Sequence, residues 1–356
     1  MMTKCTANRL TRRSALQFGG ALALSGLAPS MAAIAGSRIP FGAAVLLEPF
    51  RNDPQLKRML LDHVDVIVPM NVLKWDGIRH SKKFFDFSGA DELVDFAVQN
   101  GKRLHGHTLL WYNANPQWLD AITSPKRLER VLVEHIEEVV GRYAGRIGSW
   151  DVVNEVVAHD PLNQGKWRTS VWYNVLGPKH VDIAFSTAAR TDPTARLYIN
   201  DYDLEDDSLR TKARQEAILK IVHRLQRKNI PVHGVGLQAH LYAERKIGRE
   251  NLARFIDQLH RLGLDVAVTE MDIIDWKLPA DKAIRDAAVA AKTREFLSAL
   301  TASTTPRAIS TWGLNDRYSW IGDVFPRDDQ ARARPLPFDR DWNAKPMFDA
   351  IREFTA

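Results

Sequence analysis

Two glutamates stand where apolar runs stop. One ends Trp150-Asp151-Val152-Val153-Asn154-Glu155 and the other ends Val266-Ala267-Val268-Thr269-Glu270. A lone carboxylate in such a place ordinarily pairs with a nearby Arg or Lys. Two of them at matched depths on different strands suit another task. Paired carboxyl groups facing one bond are what glycoside hydrolysis needs, one to protonate the leaving oxygen and one to act on the opposite face of the sugar. Two other patterns compete. His105-Gly106-His107 sets two imidazoles on one face of a strand, the beginning of a metallohydrolase site. Such a site needs further ligands at other strand ends, and the ends in question offer only the two glutamates; His105 is expected to pack inside the fold, and no metal is expected. Gly234-Val235-Gly236-Leu237-Gln238-Ala239 satisfies a G-x-G-x-x-A dinucleotide pattern. That pattern must follow a strand and open a helix. Here it is the strand itself, with His240-Leu241-Tyr242 continuing as a loop, so no cofactor is expected.

The elements that must position these residues alternate. Strand-like runs fall at Phe41–Leu47, Val64–Pro69, Arg103–Leu109, Gly148–Val153, Arg196–Asn200, His233–Gln238, Asp265–Thr269 and Ala308–Trp312. Between them lie helical patterns such as Pro125–Tyr143, Leu209–Lys228 and Asp281–Ala302. Eight such units predict a single α/β domain over residues 36–356, a (β/α)₈ TIM barrel. The strand count argues against a doubly wound open sheet. In a barrel the fourth and seventh strands face each other across the mouth, and chemistry sits at the C-terminal strand ends, where Glu155 and Glu270 fall.

Residues 1–35 read as an export signal. Arg12-Arg13 precedes the mildly apolar run Leu16–Leu24, and Ala32-Ala33-Ile34-Ala35 supplies small residues for cleavage, a twin-arginine pattern. The protein is therefore expected in the periplasm or outside the cell. The single cysteine, Cys5, lies before that run, so the remaining chain has no thiol. The formal charge is +6, of which Lys4, Arg9, Arg12 and Arg13 carry +4; the +2 left gives no footprint for nucleic acid. No body segment is apolar enough to span a membrane. A monomer is expected.

The residues around both glutamates closely resemble glycoside hydrolase family 10, the (β/α)₈ endo-1,4-β-xylanases. The likeness runs from about Phe41 to Phe354. It rests on Lys74-Trp75-Asp76, Gly106-His107-Thr108-Leu109-Leu110-Trp111, the stretch ending Asn154-Glu155, Asn200-Asp201-Tyr202, Gln238-Ala239-His240, Thr269-Glu270-Met271-Asp272 and Trp312-Gly313. The resemblance implies a retaining endo-1,4-β-xylanase acting on xylan or xylo-oligosaccharides, with Glu155 the acid/base and Glu270 the nucleophile. It implies sugar subsites lined by Asn71, Lys74, His107, Trp111, Asn154, Gln238, His240, Trp312 and Trp320, with Asp272 and Tyr202 supporting. Trp118, Trp167 and Trp172 are expected in the core. Two positions depart from the pattern. Met70 replaces the family's usual Glu before Asn71, and Tyr112-Asn113-Ala114 replaces a His-Ser-Gln-like segment, so polar groups that hold the second sugar on the non-reducing side are missing. A β-1,4-glucanase is the alternative within the family, and a glycan-binding protein without catalysis the alternative outside it.

The implied chemistry sets electrostatic expectations. Glu270 must be ionised, held by hydrogen bonds from His240 with Asp272, while its charge keeps Glu155 protonated. Asn154 is placed to donate to a sugar 2-hydroxyl, and the carboxyl separation is expected at roughly 5–5.5 Å, the retaining geometry.

Overall fold

The computed structural model of the protein describes residues 38–356; the export signal read at 1–35 lies outside the described residues. Nine strands occur among the described residues: β1 (Phe41–Val45), β2 (Val66–Pro69), β3 (Arg103–His107), β4 (Ser149–Asn154), β5 (Arg196–Asp201), β6 (Gly234–Leu237), β7 (His240–Tyr242), β8 (Asp265–Ile274) and β9 (Ile309–Thr311). All paired strands are parallel. β1 pairs with both β2 and β9, and β6 pairs with β8, so eight strands close into a barrel with β7 outside the ring. Every residue of β1, β2, β6 and β9 is buried, as parallel strands require when helices cover one side and side chains fill the other. Helices follow the strands. The one over Pro125–Arg142 starts on a proline and buries Leu128, Leu132, Ile136, Val139 and Val140 along one stripe. Trp172 is fully buried, and Trp118 and Trp167 pack half-buried against the same core.

The expected barrel is present, with one correction. His240-Leu241-Tyr242 is a strand rather than a loop. The reason is the length of β8, which continues past Thr269 to Ile274 and offers a free backbone edge to β7, with His240 opposite Asp272. Two register irregularities interrupt the barrel, one between Asp151 and Val153 on β4 and one between Val268 and Met271 on β8. Each lies just before or at one of the two glutamates. An extra residue in a strand re-aims the side chains after it, so Thr269 and Glu270 can both serve the interior although they are adjacent.

Gly106 shows how tightly the third and fourth strands are matched. It is the register partner of Trp150, and a β-carbon there would collide with the Trp150 indole. That indole is completely buried and has no room to swing away. Gly106→Ala is therefore expected to cost about 1–3 kcal/mol of stability through overpacking. Urea unfolding followed by tryptophan fluorescence measures it, and a wild-type midpoint would contradict the packing described.

Candidate active site

Neighbouring strands contribute polar side chains as register partners. His107 lies opposite Asp151, Asn154 opposite Asn200, and His240 opposite Asp272. Each pair is also a hydrogen bond: His107 Nδ1 to Asp151 Oδ2 at 2.9 Å, Asn200 Nδ2 to Asn154 Oδ1 at 3.0 Å, and His240 Nδ1 to Asp272 Oδ1 at 2.9 Å. The parallel register thus assembles the network at the barrel mouth.

Glu270 is buried within it. Asn200 Nδ2 donates to its Oε1 at 2.6 Å, and His240 Nε2 donates to its Oε2 at 3.3 Å. Burial alone would raise its pKa, but the His107 imidazole and the hydrogen bond and charge of His240 outweigh it, so the carboxyl lies below its ordinary value. His240 in turn is desolvated, which favours the neutral ring. Asp272 and Glu270 overcome this and hold its pKa well above the usual range, so both ring nitrogens donate. Asp272 does not bond to Glu270. It acts through His240 and is itself fixed by Trp320 Nε1 at 2.8 Å.

Glu155 meets the opposite conditions. Its backbone takes φ 52°, a left-handed conformation that costs an ordinary residue about 1–2 kcal/mol and that turns the side chain away from the strand path. Its amide donates to Asn200 O at 2.8 Å. Burial raises the carboxyl pKa, and the negative charges of Asp201 and Glu270 raise it further; Arg168, at 3.9 Å, and Gln238, whose Nε2 donates to Oε1 at 3.3 Å, only partly oppose them. The two carboxyls are thus shifted in opposite directions, Glu270 toward its ionised form and Glu155 toward its protonated one.

The remaining predicted residues form the walls. Lys74 Nζ donates to Asn71 Oδ1 at 3.0 Å and lies 4.7 Å from the Trp111 ring centre and 5.7 Å from that of Trp312. Burial lowers the Lys74 pKa against the pull of Glu270, Asp76 and Glu155. Next to it, Trp75 is a core anchor, donating to Leu109 O at 2.8 Å and stacked on His135. Trp312 meets His107 edge-on at 5.1 Å, and Trp320 meets His240 at 5.1 Å. Gln238 Nε2 also donates to Asn154 Oδ1 at 3.0 Å. Tyr202 accepts from Arg168 at 2.7 Å, one step removed from Glu155. Met70 is buried with Ala44, Val68 and Trp312, flanked by Leu46 and Trp320, so the departure there replaces a charge with an apolar floor.

Three residues outside the predicted set take part. Asn200 joins Glu270 to Asn154, and its Oδ1 accepts from Thr269 Oγ1 at 2.7 Å. Gly236 makes room for it, since a β-carbon there would collide with Asn200 Oδ1, whereas at Gly234 a β-carbon would collide with the Tyr198 ring and the Asp265 carbonyl; packing thus explains both glycines of the G-x-G-x-x-A stretch. Asp151 lies between His105 Nε2, at 3.0 Å, and His107, and these imidazoles overcome its burial and hold its pKa at about 2. Arg168 completes the set. Asn200 had the same sequence signal as Glu155, a polar residue where a strand ends. Among the described residues, His107, Asp151 and Glu270 also bring ligand-type atoms within 4.8 Å of one another. Their facing atoms are already engaged, His107 with Asp151 and Glu270 with Asn200, and an ion would have to displace those bonds.

Residues 30–354 match glycosyl hydrolase family 10. The chain is similar to a β-1,4-xylanase of Dictyoglomus thermophilum, 35% identical over 341 residues, covering 92% of this chain and 91% of that protein. It is also similar to endo-1,4-β-xylanase B of Thermotoga neapolitana, 33% identical over 290 residues, covering 81% and 80%. Among solved structures it resembles native xylanase 10B from Thermotoga maritima, with a TM-score of 0.81, 30% identity, and coverage of 89% of this chain and 95% of that one. Xylanase 10B from Thermotoga petrophila RKU-1 in complex with xylobiose gives the same score and identity, covering 89% and 94%.

The environments of the two carboxyls are coupled. Replacing Glu270 with Gln removes a negative charge beside Glu155, so the Glu155 pKa is expected to fall while staying above an ordinary glutamate's, because burial and Asp201 remain. ¹³C-carboxyl NMR titration of both proteins reads this directly. An unchanged or higher Glu155 pKa in the variant would refute the coupling.

Proposed function

Because this chain belongs to glycosyl hydrolase family 10, we propose that it is a retaining endo-1,4-β-xylanase. The observation that carries the reading is the pair of opposed environments around Glu155, just past the end of β4, and Glu270, at the irregularity within β8, which shift the two carboxyl pKa values in opposite directions and are linked through Asn154, Gln238 and Asn200. Glu270 attacks the anomeric carbon as Glu155 gives its proton to the departing glycosidic oxygen, forming a glycosyl ester and a free sugar hydroxyl. The ester carries no charge, so the repulsion that held the proton on Glu155 falls. Glu155 then takes a proton from water as the water oxygen attacks the anomeric carbon, and Glu270 leaves as the carboxylate. Two displacements give net retention.

The network also supports a role for Asn154. Its Oδ1 accepts from Asn200 and from Gln238, which turns Nδ2 toward the cleft, where a donor to the sugar 2-hydroxyl strengthens in an oxocarbenium-like transition state. Lys74 with Asn71, and the faces of Trp111, Trp312 and Trp320, are proposed to hold the sugars on the non-reducing side. The chain is proposed to work as a monomer, outside the cytoplasm, on the strength of Arg12-Arg13 and the run behind them.

The signal-free protein is expected to release reducing ends from soluble xylan and not from carboxymethyl-cellulose, with the β-anomer appearing first by proton NMR. Glu270→Gln is expected to lower turnover by on the order of 10⁴-fold or more. Cleavage of carboxymethyl-cellulose instead would favour the glucanase reading, binding without turnover the glycan binder, and first appearance of the α-anomer would exclude retention.

Exhaustive chelation separates this chemistry from a metal-dependent one. Full activity is expected after dialysis against EDTA, because every step above uses carboxyl groups alone. A loss restored by a divalent ion would place a metal at His107, Asp151 and Glu270.

A further inference from the structure

After Glu155 the chain doubles back on itself. Val157 and Trp167 form an antiparallel bridge, and the Arg168 amide donates to Val156 O at 2.9 Å, so a short hairpin returns Arg168 to the residue that carries the acid. Its guanidinium is then tied twice. Nε donates to the Glu155 carbonyl at 3.2 Å, and Nη2 donates to the Tyr202 hydroxyl at 2.7 Å. That hydroxyl is anchored in turn by His159 Nδ1 at 2.8 Å. Burial, then the charges of Arg210 and Arg168, lower the His159 pKa, which suits Nδ1 as the acceptor. The guanidinium carbon also lies 4.5 Å from the centre of the Tyr112 ring and 5.5 Å from that of Tyr202, within the range where an aromatic face attracts a cation. Tyr112 is one of the positions where the chain departs from the family pattern, and the departure gives the guanidinium an aromatic neighbour.

These ties set a distance. Glu155 Oε1 accepts from Gln238 at 3.3 Å and from Asn154 at 3.5 Å, while Oε2 accepts no hydrogen bond among the described residues. Arg168 Nη2 stops 3.9 Å from Oε2, with both side chains largely out of water. A guanidinium hydrogen-bonded to a carboxylate holds it ionised and would deprive the acid of its proton. One tethered at this distance supplies charge without taking the oxygen. We propose that Arg168 is a positioning residue for the proton-transfer steps, held by Tyr202 and the Glu155 carbonyl close enough to steady the Glu155 carboxylate and too far away to bond to it. As the proton passes from Oε2 to the glycosidic oxygen, the carboxylate left behind meets a fixed counter-charge. Of the other groups facing Glu155, Asp201 on β5, itself bonded to the buried Arg214, and Glu270 on β8 disfavour that carboxylate, and Lys74 is the second cation that feels it. The inference rests on the reading of Glu155 as acid/base, and its test has a readout that needs no turnover.

Two variants of the signal-free protein are expected to move Glu155 in opposite directions. Arg168→Gln keeps a donor for the Glu155 carbonyl and removes the charge, so the Glu155 pKa is expected to rise by about one pH unit. Tyr202→Phe keeps the ring and cuts the tether; Nη2 is then expected to close on Oε2, and the pKa to fall by about one unit. ¹³C-carboxyl NMR titration reads both shifts without substrate. The alkaline limb of kcat/KM on soluble xylan is expected to follow, to higher pH in Arg168→Gln and to lower pH in Tyr202→Phe. A merely structural role would lower the plateau of both profiles and leave the limbs in place, and that outcome would overturn the proposal. Shifts of the same sign in the two variants would overturn it as well. If Arg168→Gln does not fold, the downward shift in Tyr202→Phe still decides. A wild-type protein that does not cleave xylan would instead overturn the reading of Glu155 as acid/base, while the NMR shifts would still show whether Arg168 is held off its carboxyl.

Discussion

Keeping Glu270 ionised inside a barrel is the constraint that the rest of the site serves. A carboxylate taken out of water favours its neutral form strongly, and here the side chain is almost wholly enclosed. Asn200 supplies one donor and His240 the other. His240 can keep its own charge because Asp272 stands behind it, and Asp272 is held by Trp320. Each group is made affordable by the next, and the chain ends at the wall of the cleft. The same charge on Glu270 then does a second task, adding to burial and Asp201 in raising the pKa of Glu155.

Parallel pairing delivers that network with little freedom. Three of its hydrogen bonds join residues opposite each other on adjacent strands, so the register that closes the barrel also sets the site. The two irregularities on β4 and β8 lie beside the glutamates, where strict alternation would send consecutive residues to opposite faces. Glycines at Gly106 and Gly236 provide the space, one for the Trp150 indole outside the barrel and the other for Asn200 within it.

Much of this was legible from residue order. Apolar β-branched runs with polar ends located the barrel and both glutamates, because burial on two faces leaves that signature in a parallel strand. His105 was correctly expected to pack, although its reason, sharing Asp151 with His107, is a cross-strand contact that spacing cannot express. Asn200 ended a strand just as Glu155 did, yet an amide has no chemistry of its own to announce. Its importance appears only when β5 is seen between β4 and β6. The strand at His240–Tyr242 was missed because it exists only through the overlong β8.

Around Met70 and Trp312 the cleft is lined by apolar and aromatic side chains. Double displacement requires that Glu270 become covalently bound to sugar. The most direct measurement is mass spectrometry of the protein after incubation with an activated 2-deoxy-2-fluoro-xylobioside, whose fluorine slows both displacements and whose good leaving group lets the first proceed. One fluoro-xylobiosyl unit esterified to Glu270 is the predicted result. An unmodified protein that still turns over the natural linkage, or an adduct on any other residue, would contradict it.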